Sequence, residues 1–219
     1  MGWWISSQLL MQKKNNLILL NTIDNSYDFI ESDLGNYKIL LLNTNKKHNL
    51  SDSSYNDRVD ECNEAKRIIN ESGINIKFLT EINKNQLNNL KNRMPKLIYN
   101  RARYVIEENE RTKKSIKFIN EFNFKSFGEL MYLSHQGLKN LYEVSCKELD
   151  FLVDETVEHN QILGARMMGG GFGGCTINLI QNEFIDLFIE KISKKYLKKF
   201  SKPLSSVVTT LGKGLRQEK

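Results

Sequence analysis

Hydrophobic residues recur along this 219-residue chain with two different periods, and the switch between them organises it. Near the start, short apolar runs at 17–20, 27–30 and 37–42 stand between polar, turn-forming residues. Runs of that length and character predict strands. Asn21 to Asn25 separates the first pair, and Asp33-Leu34-Gly35-Asn36 carries hairpin-turn chemistry between the second and third. Residues 39–42 are continuously apolar, as expected of a strand buried on both faces. A polar loop at 43–54 then leads into a helix over 55–70, with Cys62, Ala65 and Ile69 on one stripe.

From there the period is mostly helical. Thr80 is an N-cap candidate for a short helix ending near Asn92. Pro95 is suited to the opening of a long helix in which Leu97, Ala102, Val105, Ile106 and Asn109 fall at helical spacing. Ser126-x-x-Glu129 and Ser145-x-x-Glu148 read as capping boxes that open two more helices. The clearest amphipathic helix is 183–200, with Ile185, Phe188, Ile189, Ile192 and Tyr196 as its buried stripe. Strand signatures flank it at 175–180 and 205–211. Strand, helix, strand at these lengths predicts a βαβ crossover, with both strands in one sheet and parallel or nearly so. The fold class is α+β.

One stretch fits neither period. Gly169, Gly170, Gly171, Gly173 and Gly174, interrupted only by Phe172, put five glycines in six positions. Glycine forgoes packing and loses the most freedom on folding, so such a run persists where φ must be positive or a Cβ would collide. Consecutive backbone N–H groups in such a loop form an anion-binding concavity. A tight connection between two close-packed strands explains the run equally well. The spacing Gly169-x-Gly171-x-x-Gly174 also matches a dinucleotide fingerprint, but a strand and not a helix follows it; a Walker loop would need Gly-Lys-Ser/Thr where Gly173-Gly174-Cys175 stands.

Composition narrows the classes. The chain is 40% hydrophobic and 26% charged, and its size allows roughly 70% of the unfolded surface to be buried without staples. The net charge of +6 comes from dispersed lysines, densest at 191–202, where interleaved aromatics and a nucleic-acid motif are both missing. Cys62, Cys146 and Cys175 are far apart and suit a reducing compartment; with His48, His135 and His159 equally scattered, no metal site is expected. The apolar opening Met1-Gly2-Trp3-Trp4-Ile5 is too short for a membrane span and lacks a basic flank. The expectation is a cytoplasmic protein with neither nucleic-acid nor membrane partners.

Gly164-Ala165-Arg166-Met167-Met168 followed by the glycine run and Cys175 resembles the third signature motif of galactokinases, in the GHMP small-molecule kinase superfamily. Further segments agree. Residues 43–50 with Ser53-Ser54-Tyr55-Asn56-Asp57-Arg58 are similar to the segment carrying that family's sugar-contacting tyrosine. Residues 101–111, Phe127-Gly128-Glu129-Leu130-Met131 with Ser134-His135, 142–150 and 207–216 resemble other family segments. The resemblance runs from about Lys13 onward. It implies the C-terminal lobe of a GHMP-type kinase at 46–219, with a βαβ-containing sheet packed by helices. Residues 1–45 would be strands remaining from the N-terminal lobe. It also implies transfer of the ATP γ-phosphoryl group to the anomeric hydroxyl of galactose, with Mg2+, in a family of monomers. Tyr55 would contact the sugar, and Gly169 to Gly174 with Phe172 would floor the site and brace the phosphate loop.

The family's first motif, ending Glu-His-x-Asp-Tyr, and its second, a glycine-serine phosphate loop, do not occur in these residues. The catalytic aspartate belongs in Gly-x-x-Asp-Gln-Phe just before Leu10, where this chain has Gly2-Trp3-Trp4-Ile5-Ser6-Ser7; no catalytic residue is therefore assigned. Met and Trp have single codons, and shifting the frame across Trp4 and Ile5 regenerates Gly-x-x-Asp-Gln, so a frame slip is one expected origin. The chain is expected to be a truncated galactokinase with little activity and poor solubility alone. A catalytically dead sugar-binding relative and a kinase for a related sugar such as N-acetylgalactosamine are the alternatives.

Overall fold

A computed structural model describes residues 13–46 and 52–212, with the side chains of residues 52–55 left out of the description. Strands β1 (Asn16–Leu20) and β2 (Tyr27–Glu31) form an antiparallel hairpin of their own. The main sheet has four strands in the order β4 (Ile162–Met167), β5 (Cys175–Gln181), β3 (Tyr37–Asn43), β6 (Ser205–Thr209), with every neighbouring pair antiparallel. The helices are α1 (Asp52–Glu71), α2 (Lys84–Asn89), α3 (Lys96–Asn120), α4 (Phe124–Gly137), α5 (Lys147–Asp154) and α6 (Ile185–Phe200).

The α+β class holds, and helices pack on antiparallel sheets. One expectation about the strands changes. β3 was grouped with the opening strands, yet it is an inner strand of the main sheet, bonded along its length to β5 and β6. Its buried positions explain this: Leu40 and Leu42 are fully enclosed by α5 and α6, among Leu152, Ile180, Phe188, Ile192 and Tyr196. The crossover through α6 does return to the same sheet, and β5 and β6 run parallel, but β3 lies between them. Only β1 and β2 stand apart. At the open edge every residue of β6 is exposed, Val207 and Val208 included.

Helix starts also differ from the sequence reading. α4 is capped by Asn123, whose side chain accepts from the Ser126 N–H, so Ser126 lies inside the first turn. α5 starts after Cys146, and Ser145 instead donates to Asp150 Oδ1 at 2.6 Å. Thr80 sits in a separate 3-10 turn, and α2 takes its cap from Asn83, in a reciprocal box with Gln86. For α4 and α2 a nearby Asn offered an acceptor of equal quality, and at α5 the Asp150 carboxylate took the Ser145 hydroxyl. Pro95 does open the long helix α3.

Two contacts fix the helical layer against the sheet. At the first, α4 and β4 touch backbone to backbone. A Cβ on Gly128 would lie 2.0 Å from the Leu163 carbonyl oxygen, and one on Gly164 would lie 2.4 Å from the Gly128 Cα. At the second, Arg101 of α3, only 1% exposed, donates from Nε to Glu61 of α1 at 2.7 Å and from Nη2 to Glu143 at 2.9 Å. Its Nη1 meets the Leu141 carbonyl in the π-helical turn Leu138–Tyr142 that follows α4. Arg58 also pairs with Glu61, one turn earlier on α1.

Gly128→Ala and Gly164→Ala are expected to destabilise by about 3 kcal/mol each, because backbone must separate to admit the methyl group; urea unfolding measures it. Arg101→Met should cost about 2 kcal/mol, by leaving the Leu141 carbonyl without its donor and Glu61 with Arg58 alone, whereas the half-exposed Glu143 turns to water. Burial raises the Glu61 carboxyl, but Arg58 and Arg101 more than offset it and hold it below its ordinary value. A depressed carboxyl stabilises fully above the unfolded value, ~4.3, and loses that contribution as pH falls through the folded value. Unfolding midpoints should therefore drop below about pH 4.3, and Glu61→Gln should flatten that dependence.

Candidate functional site

The glycine run closes the β4–β5 hairpin. Gly169, Gly171, Gly173 and Gly174 all have positive φ, and so does Phe172 at 59°, which glycine neighbours on both sides accommodate. Gly171 serves a second demand. A Cβ there would fall 2.0 Å from the Val144 carbonyl oxygen, which also accepts the Phe172 N–H at 2.7 Å. Both sequence explanations of the run thus apply to different glycines. Gly171 makes a close backbone approach, whereas Gly169 and Gly170 have nothing within 4 Å of a built Cβ. Among the described residues no acceptor pairs with the N–H groups of Gly169, Gly170 or Gly171.

Both ends of the loop are pinned. At the β4 end the Met167 N–H donates to His135 Nδ1 at 3.2 Å. That bond makes Nδ1 the unprotonated nitrogen, so the neutral ring carries its hydrogen on Nε2, 3.3 Å from Asp150 Oδ1. Burial raises the Asp150 carboxyl, but His135, Ser145 and Lys139 outweigh it, and Asp150 is held below the ordinary carboxylate value. At the β5 end the Thr44 N–H and hydroxyl both donate to the Gly174 carbonyl at 2.9 Å. The Thr44 carbonyl in turn accepts from the buried Tyr196 hydroxyl at 2.8 Å. The chain leaving β3 toward α1 is therefore tied to the glycine loop, and Lys46 is held by Glu148 at 3.0 Å.

Between the loop and α1 lies a cleft of about 280 Å³, lined by Arg58, Tyr104, Tyr142, Arg166, Gly169 and Gly170 among others. Val59, Leu138, Val144 and Phe172 also line it, and among the described residues no carboxylate does. Arg166 donates from Nη1 to Glu108 at 3.0 Å, and Glu108 also takes the Ser134 hydroxyl and Arg111. Burial, followed by Glu108, pushes the Tyr104 hydroxyl far up, so it stays protonated. A larger groove of about 810 Å³ lies between β1 and Lys66, Lys77 and Phe78, away from the loop.

Of the residues expected from the sequence, Gly169, Gly170 and Phe172 line this cleft, Gly171 packs on the Val144 carbonyl, the Gly174 carbonyl accepts from Thr44, and Gly173 completes the loop. Tyr55 falls in the first turns of α1, one helical turn before Arg58, and its side chain lies outside the described residues. Trp4 and Ile5 also lie outside them. Asp24 sits in the exposed turn between β1 and β2, bonded to Ser26, and lines neither cleft. Arg58 and Arg166 were missed as site residues; the signal was their place, three residues after Tyr55 and three before Gly169. Among the described residues no group of three metal-binding side chains converges, and no helix is long and apolar enough to cross a membrane.

Comparison with known proteins agrees with this geometry. Residues 115–197 match the family model described as GHMP kinases C terminal. A galactokinase of Fusobacterium nucleatum is 38% identical over 93% of this chain and 53% of its own length. One of Clostridium tetani is 42% identical over 86% and 48% respectively. The crystal structure of Lactococcus lactis galactokinase complexed with galactose superposes with a TM-score of 0.87 and 32% identity, covering 92% of this chain and 52% of that one. A mevalonate kinase of L. major, 17% identical with a TM-score of 0.50, shares the fold. The chain spans about half the length of the curated relatives it matches. Sequence, fold and loop geometry concur: the chain is similar to the C-terminal half of galactokinases, and its residues 115–197 match the C-terminal model of the GHMP kinases.

Proposed function

We propose that these residues form the C-terminal half of a cytoplasmic sugar kinase that moves the ATP γ-phosphoryl group to the anomeric hydroxyl of galactose. The observation that carries this is that α1 and the glycine loop face each other across one cleft, with Thr44 tied to the far end of the loop. The Lactococcus lactis protein that superposes on this chain was solved with galactose. In this reading Tyr55 contacts the sugar, and Gly169 to Gly174 with Phe172 floor the site. Residues 46–219 with β3 make up the C-terminal lobe, and the β1–β2 hairpin goes with the N-terminal sheet.

Phosphoryl transfer has a loose, anionic transition state, so catalysis is mostly positioning and charge neutralisation. What this half supplies is cationic and donor-rich: Arg58, Arg166 and unbonded loop amides. ATP and Mg2+ are the cofactors of the proposed reaction. The cleft fits a phosphate but offers no carboxylate among the described residues, so in this reading the Mg2+ ligands come from outside them. The base for the sugar hydroxyl and the glycine-serine phosphate loop are likewise not among these residues.

With radiolabelled ATP and galactose, the 219 residues alone should transfer phosphate at background rate, because the groups that lower the barrier are not among them. Turnover of about 1–100 per second, ordinary for kinases, would overturn that. Joined to the N-terminal half of a galactokinase relative, the chain should gain galactose phosphorylation, and Tyr55→Phe should raise KM for galactose about fivefold by removing one hydrogen bond. A joined protein that folds and binds ATP yet ignores galactose would refute the sugar assignment.

A further inference from the structure

We propose that a separate cavity of about 570 Å³, at the base of the β1–β2 hairpin, binds a small organic phosphate that carries free hydroxyl groups. It stands apart from the cleft at the glycine loop. β3 pairs with β5 along its whole length, with Asn43 opposite Cys175 beside that loop and Tyr37 opposite Gln181 at the other end. The cavity gathers around the Tyr37 end, so the length of β3, about 20 Å, separates the two.

Three stretches build it: the start of β1, the turn from β2 into β3, and the end of β6. Backbone bonds hold them together. The Asn15 N–H donates to the Leu211 carbonyl at 3.2 Å, and the Ser32 N–H donates to the Asn15 carbonyl at 2.8 Å. The turn closes through the Tyr37 N–H on the Leu34 carbonyl at 3.0 Å. Side chains on the wall are therefore not needed for the junction itself.

Four of them carry unspent donors. Ser32 is fully buried, and its hydroxyl has no partner among the described residues. Alanine would fill the same place without burying an unpaired polar group, so the hydroxyl calls for a ligand. The Tyr37 hydroxyl accepts a long bond from Gln181, 3.5 Å, and keeps its own proton. Lys14 and Lys38 make no ion pair among the described residues, although Lys38 is half-buried. Two ammonium groups and two hydroxyls together match the acceptor oxygens of a phosphate.

Asp33 narrows the class. Among the described residues it is the one carboxylate on the wall. Its Oδ1 takes the Gly35 N–H at 3.0 Å, which leaves Oδ2 as an acceptor. That oxygen repels a bare anion and suits a ligand that also brings hydroxyl donors. Size agrees: ligand pockets run from ~300 to ~1,000 Å³, so there is room for more than one phosphate. Because hairpin and main sheet both supply walls, an occupant clamps one onto the other.

The test is a titration of the 15N-labelled full chain with glycerol 3-phosphate, using chloride at matched ionic strength as the blank and inorganic phosphate as the comparison. The Ser32, Asp33, Lys38 and Leu211 amides should shift saturably beyond the blank. Hydrogen exchange at the Asn15 amide, which bridges hairpin and sheet, should slow. Lys38→Gln should weaken binding about tenfold by removing a charge-assisted bond. Ser32→Ala should weaken it about fivefold with a urea midpoint no lower than native, which separates lost binding from lost folding. Lys77→Gln, whose position lies outside this cavity, should bind as the native chain does. Shifts no larger than with chloride, or native affinity in both Lys38→Gln and Ser32→Ala, overturn the site. An equal loss in Lys77→Gln reduces the binding to general charge attraction and overturns it too. Inorganic phosphate binding as tightly as glycerol 3-phosphate overturns the hydroxyl-bearing class.

Discussion

The Val144 carbonyl oxygen lies where the Cβ of residue 171 would be, and it accepts the neighbouring Phe172 N–H. Most of the candidate site depends on that one contact. It holds the middle of the glycine loop against the segment that follows α4, which leaves the flanking Gly169 and Gly170 facing open space. The Val144 carbonyl is itself placed by a buried charge. Arg101 gathers the Leu141 carbonyl and the Glu143 carboxylate from the same segment, and Glu61 from α1. Glu143 takes a left-handed conformation, φ 55°, to turn the chain between those two anchors. One guanidinium thereby links the helix that carries Arg58 to the loop on the opposite wall of the cleft. A buried ion pair is weak evidence for stability but a good device for fixing register, and here the register fixed is that of the site's two walls.

Much of the fold was legible because its long elements repeat strongly. The stripe Ile185, Phe188, Ile189, Ile192 and Tyr196 located α6, and the alternation of Cys175, Ile177 and Leu179 located β5. The partner of β3 was not legible, since a short apolar run carries no label for its neighbour. What decided it was the enclosure of Leu40 and Leu42 beneath α5 and α6, a tertiary fact. Capping failed for a related reason. Ser126 and Ser145 had the right spacing, but Asn123 and the Asp150 carboxylate competed locally and won. The glycine loop was legible as an anomaly, and its division between structural and open glycines was not. Arg101 gave no sequence signal beyond its place on a helix, although it organises the site.

The site as a whole is made of donors. Guanidinium groups and loop amides can neutralise negative charge, whereas the Tyr104 hydroxyl is held protonated and the nearby carboxylates are all committed to arginines, lysines or His135. An arrangement of that kind binds and steadies an anion, and it leaves proton transfer to other groups. The chain so arranged is similar to the C-terminal half of the GHMP kinases it matches.

The claim that a buried arginine sets the glycine loop can be measured at one amide, the Phe172 N–H bonded to Val144. Its hydrogen exchange should be slow in the native protein. In Arg101→Met, under conditions where unfolding stays cooperative, protection should be lost at Phe172 while the strand amides of β4 and β5 keep theirs. Equal protection of Phe172 in both proteins would contradict the account.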